Sequence, residues 1–245
     1  MPGISAGLGG QVNNNIQTDG LVFYIDAAYK KSYPKAGSTW YDLIGANDTA
    51  ISNASFNSSG YFELDGTNDS FEVTNDGSSD FAKQTFSIEF WCYVGPTDGN
   101  YEIFWSYDYI THSAPYYAQH WRTSNSSTTL YGGSNKDGAW NSSTGVHDDV
   151  SYTKEVWTHL VWTMGDGGST KTSTFYQDGV SIGTETNTSW NDIDYYSQEV
   201  IIGTSPNFFT GRYAGYIASV RFYDRDLSLQ EVKQNYNAGK ERFGF

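Results

Sequence analysis

The side chains best suited to acid–base or metal chemistry are four histidines, His112, His120, His147 and His159, and their spacing organises neither. No His-Glu-x-x-His pair places two imidazoles on one helix face, and no Gly-x-Ser-x-Gly elbow exposes a nucleophilic serine beside them. His147-Asp-Asp149 sets three metal-ligating side chains in a row, yet in so polar a stretch a solvated loop cluster is the simpler reading. The one cysteine, Cys92, stands in the apolar run Phe90-Trp-Cys-Tyr-Val94. It has no intrachain disulfide partner, and its setting predicts a buried, inert thiol.

Aromatic residues offer a different chemistry. They make up 17% of the chain, with 20 Tyr and 8 Trp, more than one core consumes. Tyr116, Tyr117, Trp121, Trp140, Trp190, Tyr195 and Tyr196 all stand among polar neighbours. A ring with a polar tip stacks on a sugar face and serves equally well at a protein interface, so both readings stay open. For sugars the first candidates are Trp140 and Trp190, in the polar segments 137–142 and 188–194, followed by Tyr195, Tyr196 and Trp121. The competing reading is that these rings cover the ends of the fold.

Charge narrows the field further. The formal net charge is −14 and charged residues are only 17% of 245, so polarity comes mainly from Asn, Ser, Thr, Gly and Tyr. Binding nucleic acid requires clustered Lys and Arg to neutralise phosphates, and the sequence has no such cluster. Nor does it contain the run of about 18 apolar residues that spans a bilayer as a helix. We therefore expect no nucleic-acid partner and no membrane insertion.

The first ten residues lack the basic start and apolar core of a secretion signal. An exterior type of composition without an export signal fits a particle component released by lysis, with non-classical export as the competing explanation. Residues 1–19 are rich in Gly, Asn and Gln, with Ile4, Leu8, Val12 and Ile16 spaced by four. Gly3, Gly7, Gly9 and Gly10 argue against a helix there. The segment reads as an extended assembly arm before a domain at 20–245. Its apolar residues are either clasped by a neighbouring protein or another copy of this chain, or folded back over their own domain.

The elements that must position these residues are short strands. Leu21 to Ala27 opens the series, and Lys30 to Gly45 reads as loop. Strands follow at 49–51, 61–64 and 70–73. From Thr85 to Val94, Phe86, Ile88, Phe90, Cys92 and Val94 alternate with Ser87, Glu89, Trp91 and Tyr93, which aims the first set at a core. Further strands are expected at 101–107, 116–123, 128–132, 157–164, 172–177, 180–185 and 198–203, with 133–149 as a polar rim loop. Asp178-Gly179 is a hairpin turn that tolerates positive φ.

Only the end of the chain reads differently. From Tyr216 to Tyr223, Tyr216, Ala218, Val220 and Phe222 fall on one strand face, and Ile217, Ser219, Arg221 and Tyr223 on the other. Ser228 and Glu231 then form a capping box, Leu229, Val232 and Tyr236 give a helix its apolar stripe, and Gly239 supplies a stop. The result is an all-β, two-sheet antiparallel jelly-roll sandwich with one short C-terminal helix.

The run Gly215-Tyr-Ile-Ala-Ser-Val-Arg-Phe-Tyr-Asp-Arg-Asp-Leu-Ser-Leu-Gln-Glu-Val232 resembles the closing strand and helix of laminin G-like domains of the concanavalin A-like lectin/glucanase superfamily. Gly20-Leu-Val-Phe-Tyr-Ile-Asp26, Thr39-Trp-Tyr-Asp-Leu-Ile-Gly45, Phe62-Glu-Leu-Asp-Gly-Thr-Asn-Asp69, Phe86-Ser-Ile-Glu-Phe-Trp91, Trp157-Thr-His-Leu-Val161, Phe175-Tyr-Gln-Asp-Gly-Val180 and Ile201-Ile-Gly203 follow in the order of that family. The resemblance covers roughly residues 20 to 239.

Several expectations follow from the resemblance. Glucanases of this superfamily carry their carboxylates on one strand as Glu-x-Asp-x-x-Glu or a close variant, and no such triplet occurs here. Glu89, in the equivalent-looking strand, then reads as a sheet-surface residue, His159 as structural, and the chain as no enzyme. Laminin G-like and lectin relatives hold calcium at the rim with hard oxygen ligands, which makes Asp65, Asn68 and Asp69 the calcium candidates. The competing reading is a hairpin in which Asp65 and Asn68 bond their own backbone. A fold that hosts lectins, hydrolases, adhesion modules and virion proteins fixes no function by itself. The resemblance extends to domains of bacteriophage virion proteins, which makes a capsid decoration or tail-associated protein on the particle exterior the leading expectation, with cell-surface glycans as further partners. A free extracellular carbohydrate-binding or adhesion module is the alternative, and a β-glucan hydrolase ranks below both.

Overall fold

A computed structural model describes residues 15–45, 47–74, 81, 83–96, 102–108, 117–123, 129–134, 146–166, 170–187, 200–205 and 211–245. Among these residues the strands are β1 (Leu21–Asp26), β2 (Thr39–Trp40), β3 (Thr49–Ser52), β4 (Ser55–Asn57), β5 (Tyr61–Asp65), β6 (Ser70–Val73), β7 (Phe86–Val94) and β8 (Ile103–Asp108). They continue with β9 (Tyr117–Thr123), β10 (Thr129–Ser134), β11 (Val146–Ser151), β12 (Trp157–Asp166), β13 (Lys171–Gln177), β14 (Val180–Asn187), β15 (Val200–Ile202) and β16 (Ala214–Tyr223). Helix α1 (Leu229–Gly239) and a 3-10 turn (Lys240–Phe243) close the chain.

The strands form two antiparallel sheets. Sheet A runs β14-β13-β12-β7-β16-β5-β4, and sheet B runs β11-β10-β9-β8-β15-β6-β3-β2. Strand β1 also joins sheet A, beside the second half of β16, while β5 pairs with its first half. The fold is the jelly-roll sandwich that the alternation predicts.

Apolar faces of the two sheets meet in a core dominated by aromatic rings. Phe86, Ile88, Phe90, Cys92 and Val94 of β7 point into it as expected. There they join Trp105, Trp121, Trp162, Phe104 and Phe222. Phe90 meets Trp121 edge-on at 5.4 Å, and Trp105 stacks on Phe222 at 5.5 Å. Each such pair adds about 0.5–1.5 kcal/mol beyond the area it buries.

Four expectations change in the folded chain. Strand β11 occupies the end of the segment read as a polar rim loop, and it places His147-Asp-Asp149 in a strand, because main-chain pairing with β10 needs no apolar alternation. Strand β2 likewise interrupts the expected 30–45 loop, pairing with β3. Trp121 is fully buried between the sheets and is no sugar platform: its strand neighbours are polar, but its own position on β9 faces the core. In β16, pairing with β7 skips a residue between Ile217 and Ser219. This bulge sends Ile217 into the core with Val220 and Phe222, and turns Tyr216 and Ala218 outward.

Candidate functional site

Sheet A carries a polar cluster on the face away from the core. Glu89 of β7 lies opposite Arg221 of β16, and His159 of β12 stands beside them. The capping box at Ser228 and Glu231 forms as the sequence predicts and seats α1 over this face. Asn235 then points from the helix into the cluster, fully buried where Leu229 would be expected, while Leu229 is 41% exposed.

Its geometry is closed. Arg221 pairs with Glu89 Oε1, His159 Nε2 lies 3.1 Å from the same oxygen, and Asn235 Nδ2 donates to Glu89 Oε2 at 2.7 Å. The Asn235 amide also donates to the Tyr223 hydroxyl at 2.9 Å, and the Arg221 guanidinium lies over the Tyr24 ring, donating to its hydroxyl at 3.3 Å. Glu89 is 1% exposed and His159 is fully buried. Glu89 is therefore not the sheet-surface residue its strand position suggested; α1 covers it.

The electrostatics of Glu89 are those of a buried ion pair. Burial alone would raise the Glu89 carboxyl, but the charge of Arg221, then His159, and the bonds from His159 and Asn235 bring it down to about 2. A catalytic acid in glycoside hydrolysis needs the opposite shift, toward neutrality, and access to substrate. Glu89 has neither. The cluster fastens α1 to the sheet.

The same cluster holds the end of the N-terminal segment. Ile16 is buried among Leu21, Tyr24, Val161, Tyr223, Leu227 and Val232. The Gln17 main-chain N–H donates to Asn235 Oδ1 at 2.7 Å, its side-chain amide to Glu231 Oε1 at 2.6 Å, and Tyr223 donates its hydroxyl to the Gln17 carbonyl at 3.1 Å. This portion of the expected arm folds onto its own sandwich. Ile4, Leu8 and Val12 lie outside the described residues.

The Asp65–Asp69 turn satisfies itself. Asp69 Oδ2 accepts from the Asp65 main-chain N–H at 2.7 Å, Asp65 Oδ1 from Thr67 at 2.7 Å, and the Asn68 carbonyl from Asn53 Nδ2 at 3.1 Å. One carboxylate oxygen of each aspartate thus accepts from a main-chain donor of the turn, the hairpin arrangement expected for Asp65. Among the described residues no three His, Cys, Asp or Glu side chains come together.

Of the sugar candidates, Trp140, Trp190, Tyr195 and Tyr196 lie outside the described residues, as does His112. Sequence reading also passed over a second polar group, on the outward face of sheet B. His120 and Arg122 alternate with the core-facing Gln119 and Trp121 along β9, and the Arg122 guanidinium sits 3.9 Å from the Tyr131 ring centroid across the β9–β10 pair. Burial, reinforced by the neighbouring Arg122, brings the His120 imidazole down to about 3, so it is neutral across the physiological range. The period-two pattern of β9 marks these positions, but nothing in the sequence gives the contact between β9 and β10.

The family model described as concanavalin A-like lectin/glucanases superfamily, laminin G kind, matches residues 65–233, more than half of the chain. The chain belongs to this superfamily. Comparison with curated proteins finds no match. Among solved structures the superfamily member is similar to a Trypanosoma rangeli sialidase in complex with sialic acid, at TM-score 0.64 and 16% identity, over 100% of this chain and 36% of that one. It is also similar to the receptor binding domain of a botulinum neurotoxin C/D mosaic serotype, at TM-score 0.66 and 10% identity, over 92% of this chain and 52% of that one. It thus spans about a third of the sialidase and half of the toxin domain. At these identities the likeness is one of fold.

Proposed function

We propose that this domain is a lectin-like module that binds glycans without cleaving them and is displayed on a virion exterior. The observation that carries the non-catalytic half is the enclosure of Glu89. The strand that could supply a hydrolytic carboxylate instead commits both its oxygens to Arg221, His159 and Asn235 beneath α1. Binding is supported by the superfamily itself, by a fold neighbour solved with sialic acid, and by another named for receptor binding. The test is a glycan array read for retention, with chromatographic analysis of every retained glycan for cleavage. Retention without new products is the expected result, and a blank array or product release defeats the reading.

Display on a bacteriophage particle, as capsid decoration or tail-associated protein, is supported by a composition whose polarity comes mainly from neutral groups and by a net charge of −14 that disfavours nucleic acid. Purified virions should contain this chain in peptide mass spectra. If it is recovered only as free extracellular protein, the module is a free-standing lectin.

A further inference from the structure

The bulge in β16 has a second effect, on the outward face of sheet A beside α1. Turning Tyr216 outward brings it directly opposite Tyr93 of β7, which in turn lies opposite Trp157 of β12. On its other side Tyr216 pairs with Glu63 of β5, and Glu63 with Ser55 of β4. One straight row therefore crosses five strands: Trp157, Tyr93, Tyr216, Glu63, Ser55. Tyr61, two residues before Glu63 on the same face, leans on the row from the side, 5.0 Å from Tyr216 and 5.3 Å from Trp157.

This surface is built as a platform. Tyr93 and Tyr216 lie 5.0 Å apart at 31°, and Trp157, only 8% exposed, packs on Phe243 at 4.9 Å and backs the tyrosines from the side. The three tyrosines are half-buried, so their ring bodies pack while their tips reach outward. No described residue takes a hydrogen bond from their hydroxyls. The polar end of the row is ordered by the Asn57 side-chain amide, which donates to Glu63 Oε1 at 2.8 Å. Aromatic bodies, outward hydroxyls and a fixed amide–carboxylate pair are together what a pyranose needs: C–H faces to cover and hydroxyls to bond.

Charge selects among sugars. Glu63 lies close enough to Tyr61, and Glu155 to Tyr93, for each carboxylate to help raise the neighbouring phenol after burial has done so. A carboxylated sugar would meet two like charges here, in a chain of net charge −14.

We propose that the Tyr93–Tyr216–Glu63 row, with Tyr61 beside it and the buried Trp157 as its support, is a glycan-binding site for neutral hexose chains lying across the strands, and that it discriminates against sialylated and uronic sugars. This rests on the glycan-binding reading above and assigns it a site and a substrate class distinct from the sialic acid held by the sialidase.

The experiment compares the intact chain with Tyr216→Ala, the marginal variant Tyr61→Ala and the charge variant Glu63→Gln, each checked for native circular dichroism and thermal midpoint. Probes are immobilised neutral oligosaccharides of glucose, galactose and mannose, lactose, and its sialylated form. The intact chain should retain at least one neutral probe and prefer lactose to sialyllactose. Tyr216→Ala should weaken retention by about tenfold or more, the scale of one lost stacking contact and its hydroxyl. Tyr61→Ala should weaken it less, and Glu63→Gln should narrow the discrimination against sialyllactose. Unchanged neutral binding in folded Tyr216→Ala and Tyr61→Ala overturns the site while leaving the glycan-binding function standing. A preference for the sialylated probe overturns the class, and a blank for every probe defeats function and site together. A concentration-dependent dimer lost in Tyr216→Ala would make the row a self-interface and likewise overturn the proposal.

Discussion

Gly239 of α1 lies so close to Trp91 of β7 that a Cβ built on it would stand 2.5 Å from the indole Nε1. The indole cannot yield, because it is stacked on Phe243 at 4.2 Å, on Tyr236 at 5.9 Å, and tilted against His159 at 5.0 Å. Gly239 keeps a right-handed backbone with φ −105°, and the left-handed residue that ends the helical segment is Gly244, at φ 88°. What demands glycine at 239 is packing, whereas the sequence suggested a helix stop. Gly239→Ala should therefore cost about 1–3 kcal/mol, the usual range for overpacking. In urea unfolding, the midpoint should fall with an unchanged slope.

Acid should act through Glu89. Its folded pKa, about 2, lies below the ordinary 4.5, so ionised Glu89 contributes stability at pH values above 4.5. That contribution falls away as the pH drops from 4.5 through 2. Glu89→Gln should flatten this acid limb of the stability profile. At neutral pH it should also cost about 3–5 kcal/mol, since Arg221 is left buried without its counter-charge. Stability measured by denaturant at pH 7, 4 and 2.5 checks both signs.

Asn235 should matter more than Gln17, although both tie the N-terminal segment to α1. Gln17→Ala removes the side-chain bond to Glu231 but keeps the main-chain bond to Asn235, a loss of about 0.5–1.5 kcal/mol. Asn235→Ala cuts bonds to Gln17, Glu89 and Tyr223 at once and strands buried partners, which should cost about 2–4 kcal/mol. Hydrogen exchange at the Gln17 amide should accelerate in Asn235→Ala and change little in Gln17→Ala, which instead exposes the Thr18 and Asp19 amides that donate to Gln17 Oε1 at 2.9 and 3.2 Å.

Cys92 should resist thiol reagents. It is fully buried in the core, and burial pushes its thiol up to about 12. Labelling by a disulfide reagent at pH 8 should follow the unfolding rate of the chain and become immediate in denaturant. Fast labelling of the native protein would contradict the packing of β7.

Much of the fold is legible in residue order because its warrants are local. The period-two run at Phe86–Val94, the capping box at Ser228 and Glu231, and the Asp178-Gly179 turn, with φ 52° and 78°, each rest on neighbours in the chain. The site residues are less legible for physical reasons. One extra residue at the β16 bulge inverts the face of everything before it, so strict alternation assigns Tyr216 to the core. Asn235 looks like a surface residue until α1 is laid over Glu89, a partner 146 positions away. Trp121 looks exposed because its neighbours along β9 are polar, though its own position faces the core. Packing between elements distant in the chain decides all three, and no stretch of sequence contains it.

Binding without hydrolysis is the role proposed for this domain. The most direct measurement incubates the protein in equimolar amounts with a glycan it retains and follows that glycan by mass spectrometry over a day. The enclosure of Glu89 predicts recovery of the intact chain length, with no new reducing ends. Shorter fragments that accumulate with time, and vanish when the protein is denatured beforehand, would contradict it.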